Sequence, residues 1–203
     1  MTNKVKPSKF QMARIIYAGF FLVFVIFMLV TMIIPHGMIK VFGSGYYRVT
    51  SPSMAPTLNV GDYVVATQTN VNDLEVGDII IFSTKRELGT SEIVERVNVI
   101  HYFGYIDDEE HIYTYNEAKK DLAFDDLNKY DKWGTETRPY YVTIEDLIGK
   151  HKETIKKDSV MVYPYLLFYS PLFYIGIGIL LTGGLSAIDS LNRPTSGKKS
   201  PTL

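Results

Sequence analysis

Ile15 to Ile34 is a run of 20 residues without a charge, and it constrains this chain more than any other feature. At about 1.5 Å rise per residue, a helix of that length spans roughly 30 Å, the thickness of the hydrocarbon core of a bilayer. Phe20, Phe21, Leu22, Val23, Phe24, Val25, Ile26 and Phe27 would put apolar side chains on every side of it. A helix packed on the core of a soluble domain keeps a polar stripe instead. A cleaved secretory signal fits less well. Its apolar region is about 7–15 residues long and a small-x-small site follows it, whereas Pro35, His36 and Gly37 follow here. Residues 15–34 are therefore expected to form a transmembrane helix.

A second uncharged stretch, residues 160–185, is expected to form another, although Pro164, Pro171 and four glycines interrupt it. Tyr163, Tyr165 and Tyr169 would form an interfacial belt at its start. The flanks set the orientation. Residues 1–14 carry four basic residues and no acidic one, and residues 186–203 carry three basic residues against Asp189. Basic flanks stay on the cytoplasmic side. The chain thus reads as a multi-pass protein of the cell membrane with two cytoplasmic basic tails, 1–14 and 186–203, and an extracytoplasmic domain over 36–159.

The stretch between the tails holds 14 basic and 21 acidic residues, a net charge of about −7. That argues against a nucleic-acid-binding surface. The chain has no cysteine, which excludes disulfides, thiolate nucleophiles and Cys-ligated zinc. Neither a cofactor nor a metal site is expected.

Short runs of β-branched and aromatic residues, punctuated by Gly, Asp and Asn, fill the middle domain: 46–49, 63–66, 78–82, 93–100, 102–105, 111–115 and 140–143. This predicts a mostly β domain with a short helix near Ile144–Ile148. Asp107–Glu110 reads as an acidic turn, and the charged segment Ala118–Arg138 as a long surface loop.

The chemistry is concentrated in Ser51-Pro52-Ser53-Met54-Ala55-Pro56-Thr57-Leu58. A serine between two prolines has a restricted backbone, which suits a preorganised nucleophile. It still needs a base and donors for a developing oxyanion. This stretch resembles the S-x-S-M-x-P-T-L box of type I signal peptidases. Further segments match that family in order: Gly61-Asp62-Tyr63-Val64, Gly77-Asp78-Ile79-Ile80-Ile81-Phe82, Glu95-Arg96-Val97 and Ile148-Gly149-Lys150. The second apolar span resembles the archaeal and endoplasmic-reticulum-like branch.

The resemblance implies a membrane-bound serine endopeptidase that removes signal peptides from exported preproteins. Ser53 would be the nucleophile. Its own N–H and the Ser51 hydroxyl would serve the oxyanion, and Met54 and Pro56 would shape the substrate groove. Partners would be signal peptides, the lipid bilayer and the protein translocase.

The family uses lysine or histidine as base, and the matching position here is Glu95, an atypical base. His101 shares the strand face of Glu95 but lies about 20 Å further along an extended strand. Lys85 is closer but belongs to no motif, and His111 cannot be placed. Glu117 would replace one acidic residue of the family, and Asp121, Asp125 or Asp126 a later one that orients the base. The absence of Lys or His at position 95 also motivates an alternative, a catalytically inactive relative acting as chaperone or assembly factor for exported proteins. A third possibility is a structural membrane protein whose β domain binds a partner.

Overall fold

The computed structural model describes residues 9–87, 94–135, 139–168, 170, 172–180 and 183. The chain forms two compact units, one of residues 1–31 with 166–203 and the other of Met32–Tyr165.

The first unit contains nearly all of helix α1 (Lys9–Ile33). Most of its side chains are exposed, Phe20 77% and Leu22 60%, whereas Met28 and Thr31 are buried. Thr31, a buried polar residue within this helix, turns its hydroxyl back onto the Met28 carbonyl at 2.8 Å, so its donor is satisfied within the helix. Among the described residues, Gln11–Ile33 is the one stretch long and apolar enough to cross a membrane. Of the expected second span, α3 (Val162–Phe168) and residues 172–180 are helical, while residues 169, 171, 181–182 and 184–185, among them Tyr169 of the expected belt, lie outside the described residues.

The second unit is mostly β, as the alternating runs predict. After α2 (Gly37–Phe42) come β1 (Ser44–Arg48), β2 (Tyr63–Thr67), β3 (Ile79–Glu87), β4 (Val94–Ile106) and β5 (His111–Tyr115). They are followed by β6 (Trp133–Gly134), β7 (Pro139–Tyr140), β8 (Val142–Thr143) and β9 (Leu147–Ile155). Seven strands form one antiparallel sheet in the order β1-β2-β9-β3-β4-β5-β8, and β6 pairs with β7. Gly43, at φ 70°, ends α2 and gives its N–H to the Ile39 carbonyl at 2.9 Å. The left-handed conformation needed there favours glycine.

Successive residues of β3 serve different clusters, as the pleat requires. Ile81 joins Met54, Leu58, Val64, Tyr102 and Tyr115. Ile80 and Phe82 join Phe103, Ile112 and Val142, with Trp133 packed against them. Each such fully buried Ile or Phe contributes about 1.5–3 kcal/mol.

The sequence reading departs from this fold in three places. The runs 93–100 and 102–105 are one continuous strand, β4, centred near the residue that separated them. The short helix expected near Ile144 is a single 3-10 turn, Ile144–Asp146, and the chain continues as β9. The segment 118–138, expected as a solvated surface loop, holds the buried residues Lys129 and Tyr130.

Candidate active site

Two prolines shape the loop that carries Ser53. The residue before a proline is pushed out of the helical region. Ser51 (φ −126°, ψ 155°) and Ala55 (φ −74°, ψ 139°) are accordingly extended, and they bracket the 3-10 turn Pro52–Met54. Pro52 supplies the first helical φ, for which its ring is preset. The turn closes with the Ala55 N–H on the Pro52 carbonyl at 3.0 Å. Below it, Met54 and Leu58 are buried and anchor the loop in the core.

The base of the loop is closed by the Val49 N–H on the Asp62 carbonyl and the Gly61 N–H on the Val49 carbonyl. The Asp62 carboxylate accepts from the Asn59 and Lys157 N–H groups and from Lys156 Nζ. Burial alone would raise the Asp62 carboxyl, but these donors outweigh it and hold it below its ordinary value.

Ser53 Oγ lies 3.1 Å from His101 Nε2 and 3.1 Å from Ser51 Oγ. His101 Nδ1 lies 2.7 Å from Asp131 Oδ2. His101 sits at the middle of β4, opposite Ile80 of β3, and is 5% exposed. Its ring packs against Phe82 and Trp133, with centroids 6.4 and 5.7 Å away. Asp131 is fixed from β5: its N–H donates to the Thr114 carbonyl at 2.8 Å, and the Thr114 hydroxyl donates to Oδ2 at 3.0 Å. Lys119 Nζ stands 3.6 Å from Oδ1. Tyr130, one residue earlier, is seated on Gly104, where a Cβ would meet its ring at 2.6 Å. Gly104 falls at the register shift between β4 and β5, so the 130–131 segment can close over the sheet only because that position has no side chain.

The proton positions follow from the donor inventory. A carboxylate only accepts, so His101 Nδ1 carries the hydrogen and Nε2 keeps its lone pair for the Ser53 hydroxyl. With the Ser53 O–H donating to Nε2, the Ser51 hydroxyl is the donor between the two serines. A serine hydroxyl, an imidazole and a buried carboxylate in this line can carry out general-base-assisted nucleophilic attack. A cleft of about 650 Å³ opens over Ser53 and His101, walled by Arg48–Met54 on one side and Val97–His101 on the other.

Residues 18–114 match the family model described as signal peptidase, peptidase S26. This match supports the type I signal peptidase family. It spans Ser53, His101 and Thr114 and ends before Asp131. With the apolar helix Gln11–Ile33, it suggests membrane association. No curated protein and no solved structure matches the chain.

Ser53 and Ser51 are brought together as the motif implies. Met54 lines the cleft from the core, whereas Pro56 is exposed and outside the cleft lining. The expectation for Glu95 requires correction. The residue bonded to Ser53 is His101, and the Glu95 backbone lies six residues earlier on β4, paired with Arg86. Lys85 lines the cleft but rests over the Tyr140 ring at 4.9 Å. His111 bonds Asp107 at 3.1 Å, away from Ser53.

Glu117 does not reach the imidazole. It accepts from the Tyr102 hydroxyl and pairs with Lys120 at 3.3 Å. Burial raises its carboxyl, and the donors Tyr102, Thr57 and Lys120 outweigh burial and hold it below its ordinary value. Asp121 and Asp125 are exposed, and Asp126 accepts from the Asn128 N–H. Asp131, which sequence reasoning missed, is the acidic residue on the imidazole. No local motif marks it: it sits 30 positions from His101 in a charged tract that reads as solvated.

Proposed function

We propose that this chain is a membrane-bound, signal peptidase I-like serine endopeptidase that removes signal peptides from exported preproteins. Ser53 acts as nucleophile, His101 as general base and Asp131 as the group that orients His101. The observation that carries this reading is the unbroken line from Ser53 Oγ through both ring nitrogens of His101 to Asp131 Oδ2. Glu95 has no part in it.

His101 Nε2 takes the Ser53 proton as Oγ bonds to the scissile carbonyl carbon. The Ser53 N–H and the Ser51 hydroxyl stabilise the oxyanion. The imidazolium returns the proton to the departing amine, and the C–N bond breaks to leave an acyl-serine. A water molecule, deprotonated by the same imidazole, then hydrolyses the ester. The inactive-chaperone alternative drew on the absence of Lys or His at position 95. A histidine at 3.1 Å takes that support away.

The basic tails and the uncharged spans favour cytoplasmic termini and an extracytoplasmic catalytic domain over 36–159, where emerging preproteins and the translocase would meet it. Protease added to right-side-out vesicles should cut the middle and spare the tails; loss of the Lys198-Lys199 tail would overturn this topology.

The activity is tested with the full chain in detergent, by a serine-directed acylating probe and by cleavage of a model preprotein. Adduct formation at Ser53, with cleavage lost in Ser53→Ala and in His101→Ala, is expected. Cleavage that survives either substitution would refute the assignment.

A further inference from the structure

The cleft over Ser53 has a charge pattern opposite to that of its domain. Residues 15–185 hold 14 basic and 21 acidic residues. Yet the cleft is lined by three cations, Arg48, Lys85 and Lys132, and by no carboxylate among the described residues. Asp131 stands behind the imidazole, engaged with His101, Thr114 and Lys119.

The cations are spread along the cleft. Arg48 ends β1, five residues before Ser53. Lys132 follows Asp131 directly. Lys85 is five β3 positions from Ile80, the partner of His101, or roughly 17 Å at strand rise. A described carboxylate pairs with none of the three, whereas Lys150, Lys156 and Arg96 elsewhere on the domain each pair with an aspartate. All three are exposed at their positions; Arg48 and Lys132 are solvated charges available to a bound chain, and Lys85, resting over the Tyr140 ring, can leave it for a substrate carboxylate.

We propose that the cleft selects peptide substrates carrying acidic side chains within about three residues of the scissile bond, and disfavours lysine or arginine there. Arg48, Lys85 and Lys132 are the specificity-determining residues. The inference rests on the peptidase reading and adds the substrate class. An unpaired cation about 6 Å from a substrate carboxylate favours it roughly threefold in a water-like dielectric, and disfavours a substrate ammonium by a similar factor. One such contact therefore separates Asp from Lys by about tenfold, and salt reduces this as the screening length shrinks. Low-dielectric cleft walls focus the field on the bound peptide, and this raises its on-rate more than its residence time.

The test uses the full chain in neutral detergent micelles and matched preproteins with Asp, Asn or Lys at the positions flanking the cleavage point. At about 20 mM salt, kcat/KM should fall from Asp to Asn to Lys, with Asp over Lys about tenfold or more. The ratio should shrink to within about twofold in 0.5 M salt, and also in the Arg48→Gln, Lys85→Gln, Lys132→Gln triple variant. Equal kcat/KM for all three substrates would overturn the proposal, as would an Asp preference that persists in the triple variant. The same peptides, fluorescently labelled, are titrated onto the Ser53→Ala chain. Tighter binding of the Asp peptide there supports the charge-selective cleft even if the unsubstituted chain cuts nothing, an outcome that would refute the peptidase reading alone. Equal binding of Asp and Lys peptides would overturn the cleft proposal.

Discussion

Asp131→Asn isolates what the carboxylate does, because it preserves size and removes only charge and one acceptor. In the native site Oδ2 accepts from His101 Nδ1 at 2.7 Å and from Thr114 Oγ1 at 3.0 Å, while Oδ1 faces Lys119 Nζ at 3.6 Å. An asparagine must choose which of these positions receives its oxygen. The Lys119 ammonium is a donor and favours the amide oxygen, so the amide NH2 turns toward His101 and Thr114. Thr114 can accept from it, because a hydroxyl does both. His101 Nδ1 must then also accept, which moves the ring hydrogen to Nε2, the nitrogen that has to take the Ser53 proton.

The variant therefore combines the wrong tautomer with an uncompensated imidazolium in the transition state. Comparable replacements in serine proteases cost about 10⁴ in kcat, or roughly 5 kcal/mol at 1.36 kcal/mol per factor of ten. Cleavage of a model preprotein should fall by about 10³–10⁴ in kcat, with KM little changed and the thermal transition within a few degrees of the parent. Adding Lys119→Met removes the group that sets the amide flip and should recover part of the loss. An Asp131→Asn chain that cleaves within about threefold of the parent would refute the orienting role and the tautomer argument together.

Three other outcomes follow from the same geometry. Glu95→Gln should leave kcat/KM within about twofold, because six strand positions at ~3.3 Å keep residue 95 roughly 20 Å from His101; a loss above tenfold would return Glu95 to the mechanism. Lys129 is fully buried and its Nζ donates to the Lys119, Lys120 and Leu122 carbonyls, so Lys129→Met strands three acceptors and should cost about 3 kcal/mol in urea unfolding; an unchanged midpoint would contradict this. Asp62 is held below its ordinary 3.8, so its contribution is full above that value and is lost as pH falls through the lower folded one. Asp62→Asn should thus be about 2 kcal/mol less stable than the parent at pH 7, the gap closing at acid pH, and a gap independent of pH would count against the ion pair with Lys156.

The sequence alone determined what depends on neighbours along the chain. Twenty uncharged residues make a helix whose apolar surface needs no partner to be recognised. Ser51-Pro52 and Ala55-Pro56 determine the turn that presents Ser53, because each proline acts on the residue before it. The runs of β-branched and aromatic residues gave the β class, and their spacing roughly located most strands.

The tertiary structure decided the rest of the site, since its members come from distant parts of the chain. His101 is 48 residues from Ser53, and Asp131 a further 30. Between Ile100 and Tyr102, His101 reads as a break between two strands; only the β3–β4 register, with Ile80 opposite, shows it to be the middle of one. The Glu95-Arg96-Val97 segment points to Glu95 as base, whereas Arg96 bonds Ser83 and Asp146. Asp131 looks like one more solvated acid until Tyr130 settles on Gly104 and Thr114 takes its carboxylate. A strand's local sequence defines its two faces, but which residue along a face meets the nucleophile depends on register and on loop closure, and both are fixed by contacts between residues far apart in the chain.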